Sequence, residues 1–355
     1  MVTAKAPGKL YLAGEYAVTL PGQPSIILAV DRFVTATLTP QDTDIIQLIS
    51  DTLGQQTFAL TDLINQPLDN DWRLVVRTLQ VLQHYLREQK QSLTGFTLSI
   101  KSELTFNNHK LGLGSSAAVV AAIMRAFQIQ YDLPLAQLPL FKLGVLITMT
   151  TPNFKAGSMG DLAAAIAGGV INYQRFDDQI LATWLAKPTT ITDLITQPWP
   201  QLKIQSLTLP TDWQLLIGWT GSPADTQQLL AVGNPVERAQ AKQQLATASK
   251  PIITQIVTAI NTHNYPLIAE ALTTNQRQLI TYTDKLGINY QTETLKNLRS
   301  IAHDLGGVAK ISGAGGGDNG IALTNTPSIA TAIKQTWQAQ GIIPLPLSIA
   351  YHEEI

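Results

Sequence analysis

A run of small residues, Gly112-Leu113-Gly114-Ser115-Ser116-Ala117-Ala118, stands between two apolar segments of different period. Upstream, residues 94–100 (TGFTLSI) place Phe96, Leu98 and Ile100 on one side, the alternation of a strand with one buried face. Downstream, residues 117–131 (AAVVAAIMRAFQIQY) contain neither Gly nor Pro and are apolar almost all round, which predicts a deeply buried helix. Two glycines and two serines therefore stand at the entrance of a core helix.

That position has particular physical properties. The first helical turn has free N–H groups, and the aligned peptide dipoles favour an anion there. Glycine lets the chain approach a ligand with no Cβ in the way. One of Ser115 and Ser116 is expected to cap the helix, leaving the other hydroxyl to face a phosphate or a metal ion. A Ser-capped core helix after a glycine-rich turn explains the same residues, and on this stretch alone both readings stay open.

Composition narrows the classes. The chain has 355 residues, 45% of them hydrophobic, enough for a sizeable core and two domains. Charged residues are 14% and the net charge is -1, so any anion site must be local, and nothing suggests a general nucleic-acid or polyanion binder. With no cysteine, disulfides, thiolate catalysis and thiolate metal sites are excluded. The opening MVTAKAPGK has no apolar signal core behind it and no apolar run approaches a membrane span, so the expectation is a soluble, cytoplasmic protein.

Along the chain, Lys9–Ala13 reads as a short strand between Gly8 and Gly14, and Gly14-Glu15-Tyr16 as a turn. Residues 25–30 and 33–38 read as two strands, 44–60 as a hairpin turning near Gly54, and 72–85 as an amphipathic helix. Asp161 stands before a small-residue helix at 162–167, after Gly157, Ser158 and Gly160, where an N-cap is the ordinary role and a functional carboxylate the alternative. The proline-bearing stretch 184–205 is the expected domain boundary, giving units 1–185 and 186–355. Strands alternating with helices and hairpins in each half suggest an α+β sandwich. The last loop, Gly313–Gly320, has five glycines in eight residues, which demands close packing against another backbone or a ligand. Neither the Walker signature nor the three-glycine dinucleotide fingerprint is completed, so a phosphate site of another design fits better.

These three stretches, KAPGKLYLAGEYAV, GLGSSAAV and SGAGGGDNGIAL, in this order over nearly the whole chain, resemble the three motifs of the GHMP kinase superfamily. Within it the chain is most similar to the bacterial-type phosphomevalonate kinases, through PGQPSI after the first motif and WTGSPADT at 219–226, with Tyr16 where mevalonate kinases more usually have His. It departs from that branch at Asn319, where Cys is common, at Val170, where Trp is frequent, and at Asp225, where a small hydroxyl residue is frequent.

The resemblance implies an α+β, two-domain GHMP kinase fold: an N-terminal part like ribosomal protein S5 domain 2 and a ferredoxin-like C-terminal part, with the active site between them. It implies Mg²⁺- and ATP-dependent phosphorylation of 5-phosphomevalonate by a monomer or homodimer with no nucleic-acid or membrane partner. Lys9 and Asp161 are the implied catalytic pair. Lys110, Gly112, Gly114, Ser115, Ser116 and Ala117 would hold ATP, with Ser116 on the metal. Lys9, Gly14, Glu15, Tyr16, Ser158, Lys101, Lys310, Gly315 and Gly316 would bind the substrate, and adenine is expected beside the 102–110 loop. Because the acceptor is a phosphate oxygen already ionised near neutral pH, Asp161 is expected to position groups more than to act as a base. The alternatives are mevalonate kinase or another GHMP small-molecule kinase, diphosphomevalonate decarboxylase, and a non-catalytic GHMP-fold binding protein.

Overall fold

A computed structural model describes residues 1–106, 109–154, 157–222 and 234–351. The first unit is built on β1 (Val2–Ala13) and β2 (Pro24–Pro40), a long antiparallel pair running from Val2 opposite Leu38 to Ala13 opposite Ile26. The register shifts between Pro7 and Gly8 and again between Tyr11 and Ala13. β2 is one strand: it runs straight through the polar Asp31-Arg32 step that divides it in the sequence. The other edge of β2 is shared by two strands introduced below, one along its second half and one along its first.

The hairpin β3 (Ile45–Ser50) and β4 (Gly54–Ala59) is followed by α1 (Arg73–Glu88), then β5 (Phe96–Ser102), which lies parallel to β3 and antiparallel to β2. A two-residue ladder, β6 (Thr105–Phe106) with β7 (His109–Lys110), leads to α2 (Ser115–Gln130), α3 (Gln137–Thr150), α4 (Gly160–Ala167) and β8 (Val170–Gln174). The core face of the sheet carries Ala4, Leu28, Val34, Leu48, Phe96 and Leu98, covered by α1 to α4. α2 is buried at Ala118 and from Val120 to Phe127, as its lack of a polar face requires. Its one charge, Arg125, is anchored by donating to the Ile166 carbonyl at 2.7 Å.

The expected boundary at 185/186 does not hold. After α5 (Asp178–Leu185) and α6 (Ile191–Thr196) the chain re-enters the same sheet as β9 (Lys203–Leu207), paired with β8 from Val170 opposite Leu207 to Gln174 opposite Lys203. The first unit therefore has a seven-stranded sheet and extends to Leu207. The prolines that read as a linker lie in the α5–β9 connection instead.

The second unit comprises β10 (Gln214–Trp219), α7 (Pro235–Asn261), α8 (Tyr265–Lys285), α9 (Glu293–Asp304), β11 (Val308–Ser312), β12 (Asn319–Thr324), α10 (Pro327–Ala339) and β13 (Ile343–Leu345). Its four strands run β11-β12-β10-β13, all antiparallel, the strand order of a ferredoxin-like split βαβ unit. Asn234 and Asn264 cap α7 and α8, each just before a Pro in the first turn. The C-terminal stretch then returns to the first unit, where Ala350 donates to Ala29 and accepts from Gly169. Residues 223–226 of the WTGSPADT stretch, Asp225 included, lie outside the described residues. Among the described residues no helix is long and apolar enough to cross a membrane.

Candidate active site

The site forms where β1 meets the entrances of α2 and α4. Gly112 and Gly114 both have positive φ, +70° and +79°, a region in which a side chain is strained. Neither has room for one. A Cβ on Gly112 would stand 2.5 Å from the Asp318 carboxyl, and one on Gly114 would stand 3.1 Å from Cγ and Cε of Lys9 and 3.3 Å from Cβ of Asp161. The expectation that a serine caps α2 is corrected here. The N-cap is Gly114 in a left-handed conformation, with no side-chain capping bond, and the helix begins at Ser115. Ser115 and Ser116 thus occupy the first two helical positions, half-buried and exposed, and among the described residues neither hydroxyl has a hydrogen-bond partner. Ala117 follows in the same turn, half-buried. Free N–H groups, two uncommitted hydroxyls and a glycine approach together make an anion cradle.

Lys9 stands over this cradle. Its backbone N–H donates to Leu113 at 2.8 Å, which ties β1 to the loop, and its Nζ donates to the Gly112 carbonyl at 3.2 Å. Nζ also lies 5.5 Å from the centre of the Tyr11 ring. Asp161 is in the first turn of α4, where the N-cap is Met159 and not Asp161 itself, and its Oδ1 accepts from the Leu162 N–H at 3.0 Å. Lys9 and Asp161 therefore face each other across Gly114.

The loop before α4 is held by two tyrosines that sequence reasoning missed. The Tyr11 hydroxyl lies 2.6 Å from Ser158 Oγ, Ser158 Oγ accepts from the Gly160 N–H at 3.1 Å, and the Tyr173 hydroxyl donates to the Ser158 carbonyl at 2.8 Å. Burial, and after it the nearby Asp161 carboxylate, pushes the Tyr11 hydroxyl well above its ordinary range, so it stays protonated. A buried hydroxyl needs a hydrogen-bond partner, and Ser158 Oγ is that partner, with either hydroxyl able to donate. The signal in the sequence was a tyrosine in an otherwise apolar strand, which needs a polar partner wherever it is buried.

The third glycine loop closes the site from the second unit. Gly316 donates to the Tyr290 carbonyl at 2.9 Å, and a side chain on Gly315 would overlap the Tyr290 ring. The Asp318 carboxyl fills the space over Gly112, and Asn319 Nδ2 donates to the Leu111 carbonyl at 2.6 Å. Ser312 Oγ accepts from the Tyr11 N–H and donates to the Tyr11 carbonyl at 2.9 and 3.0 Å. Gly315 is thus packed on the Tyr290 ring, and Gly316 is bonded to the Tyr290 carbonyl.

Several expected substrate contacts are placed elsewhere. Lys310 is fully buried and paired with Glu15, and it also donates to the Ile311 carbonyl at 2.7 Å. Glu15 is itself buried and accepts from Gly313 N–H at 3.3 Å, so this pair fastens β11 to the turn after β1 and is closed to a ligand. Tyr16 is buried against Tyr282 and Tyr290 with its hydroxyl donating to Ala314 at 2.6 Å. Gly14 is pressed against Ser25, 2.7 Å from where its Cβ would be. Lys101 lies exposed on β5 opposite Thr35, on the face away from Phe96, Leu98 and Ile100. Lys110 is exposed at the end of β7, two residues before Gly112. In the 102–110 loop expected beside adenine, 107 and 108 lie outside the described residues, while Phe106 meets Trp219 edge to face at 5.9 Å.

Among the described residues no group of three or more His, Asp or Glu side chains is placed to hold a metal. An ion such as Mg²⁺ keeps several waters, binds through one or two protein groups and takes further oxygens from substrate phosphates, and the exposed Ser116 in the first turn of α2 offers one such oxygen.

Two family models and several known proteins match this chain. Residues 73–169 match the GHMP kinases N terminal domain and residues 256–343 the GHMP kinases C terminal domain. A phosphomevalonate kinase of Streptomyces sp. (strain CL190) is 33% identical over 98% of this chain and 97% of its own. The structure of Streptococcus pneumoniae phosphomevalonate kinase in complex with phosphomevalonate and AMPPNP superposes with a TM-score of 0.86 at 30% identity, covering 98% of this chain and all, 100%, of that one. A crystal structure from Listeria innocua superposes with a TM-score of 0.87 at 32% identity, covering 98% and 97%.

Proposed function

The chain belongs to the GHMP kinases, in the branch of the phosphomevalonate kinases, and we propose that its cleft transfers the γ-phosphoryl group of ATP to the phosphate of 5-phosphomevalonate, giving 5-diphosphomevalonate and ADP. The observation that carries the reading is the meeting of Lys9 and Asp161 over Gly114, directly at the uncommitted first turn of α2.

The chemistry brings two multiply charged anions together, so the main task is to offset charge and to align the reacting oxygens. The N–H groups of α2 and the Gly112–Ser116 loop take the ATP phosphates, with Lys110 at the rim. Ser116 would hold Mg²⁺ together with the ATP phosphates, and the ion would supply charge neutralisation there. Lys9, released from the Gly112 carbonyl, faces the transferring phosphoryl group, where its charge counts most. Asp161 orients Lys9 and the acceptor. The acceptor oxygen is already ionised, so no strong base is required of Asp161. Ser158, held in place by Tyr11, Tyr173 and the Gly160 N–H, is the hydroxyl that we assign to the acceptor.

The test is the Lys9→Met variant assayed for ADP release with 5-phosphomevalonate. Loss of one charge-stabilising donor should lower kcat by about 10²- to 10³-fold, with nucleotide binding retained. A kcat within a few-fold of the parent enzyme would remove Lys9 from the reaction.

A further inference from the structure

Away from the cleft, the second unit has a cavity of about 730 Å³ between α8 and α9, floored by the start of β11. Its walls bring Arg277, Lys296, Arg299 and His303 together with the hydroxyls of Thr273 and Ser300. Two carboxylates, Glu270 and Asp304, also line it. Neither neutralises an arginine: Asp304 lies 3.5 Å from His303, and among the described residues no ion pair includes Glu270, Arg277 or Arg299. Lys296 is paired with Glu293 at the exposed rim.

Arg299 is the unusual member. Its guanidinium is half-buried; Nη1 donates to the neutral Gln291 side chain at 2.6 Å, and Nε is buried with no partner. Burial lowers its pKa, although an arginine stays charged at any working pH. A partly desolvated guanidinium with no counter-ion among the described residues is unfavourable unless an anion completes it, and a second guanidinium with no ion pair among the described residues, Arg277, opens on the same space. Two planar forks and adjacent hydroxyls suit the oxygens of a phosphate group.

We propose that this cavity is a second anion site, separate from the catalytic cleft, that takes a small molecule bearing a phosphate or diphosphate group. It is not isolated from the cleft. Gln276 lines the cavity and accepts from the Ile311 N–H at 2.8 Å, two residues before Gly313, and the loop that follows packs on Tyr290 and, through Asp318, on Gly112. An occupant that draws in Arg299 and the α8–α9 pair therefore bears on the loop that closes over the phosphate cradle.

The experiment is calorimetric titration of the full chain with inorganic pyrophosphate in metal-free buffer, comparing the parent protein, Lys9→Met and the pair Arg277→Gln/Arg299→Gln. The parent should show two sites, Lys9→Met should weaken one of them, and the arginine pair should lose the other. Since Arg299 is half-buried, a second variant, Arg277→Glu/Lys296→Glu, changes only exposed side chains. It should weaken that site about tenfold or more with an unchanged thermal transition and unchanged turnover when no pyrophosphate is present. A single site in the parent protein, or two sites that survive both arginine variants, would overturn the assignment whatever the acceptor specificity of the enzyme proves to be.

Discussion

Replacing Gly114 by Ala separates geometric precision from stability. The backbone there has φ +79°, and holding an L-residue in the left-handed region costs about 1–2 kcal/mol. The new Cβ would also meet the Lys9 stem at 3.1 Å and Asp161 at 3.3 Å, closer than carbon atoms ordinarily pack, so one of them must give by a few tenths of an ångström. A 1 Å misplacement of a reacting group can cost about a hundredfold in rate, so this smaller shift should lower kcat/KM about ten- to a hundredfold. Gly54 is the matched control: its φ is +80° with nothing within 4 Å of a Cβ, at the tip of the β3–β4 hairpin. Gly54→Ala should lose the same 1–2 kcal/mol or so in denaturant unfolding and keep full activity. The two variants would be compared by urea titration and by coupled ADP-release kinetics. Equal kcat/KM in both, within about threefold, would refute the claim that the Gly114 backbone spaces Lys9 from Asp161.

Other consequences concern the groups behind the cleft. Lys310→Met leaves Glu15 buried without its partner and should destabilise the fold by about 3–5 kcal/mol, while adding Glu15→Met should recover much of that; unfolding curves of the single and double variants measure both. Tyr11→Phe removes the hydroxyl bonded to Ser158, and should cost about 1 kcal/mol of stability and lower kcat more than it raises the KM for ATP, as separate kinetic constants would show. Alkaline pH should be unfavourable. Burial raises the pKa of Tyr11, Tyr16, Tyr173 and Tyr290 above the ordinary 10.0, so the unfolded chain releases these protons first and stability falls as pH rises past that value. Buried Lys310, with its pKa lowered from 10.5, acts in the opposite direction only below that pH; thermal unfolding above about pH 10.5 should therefore decline steadily.

The parts of this architecture that were legible in the sequence are those governed by local rules. The buried helix after Ser116, the hairpin around Gly54 and the three glycine loops follow from periodicity and from the need for a close backbone approach, and they lie where those rules put them. Tertiary placement was not legible. Lys310 and Glu15 read as ligand-facing charges because nothing local shows that β11 and the turn after β1 bury both against each other. The end of the 184–205 stretch reads as linker because the edge strand it enters, with exposed Lys203, Gln205 and Ser206, has little apolar alternation, and only its pairing with β8 reveals it. One of Ser115 and Ser116 reads as a cap by propensity, whereas the left-handed Gly114 takes the N-cap position with no side-chain capping bond. The clamp of Tyr11 and Tyr173 on Ser158 joins residues far apart in the chain, so no spacing announces it.

The most direct measurement is turnover with Mg·ATP and an equimolar mixture of mevalonate and 5-phosphomevalonate, with ADP and each phosphorylated product resolved by mass. The account predicts 5-diphosphomevalonate formed in step with ADP while mevalonate is left untouched. Phosphorylation of mevalonate with 5-phosphomevalonate unchanged would contradict it.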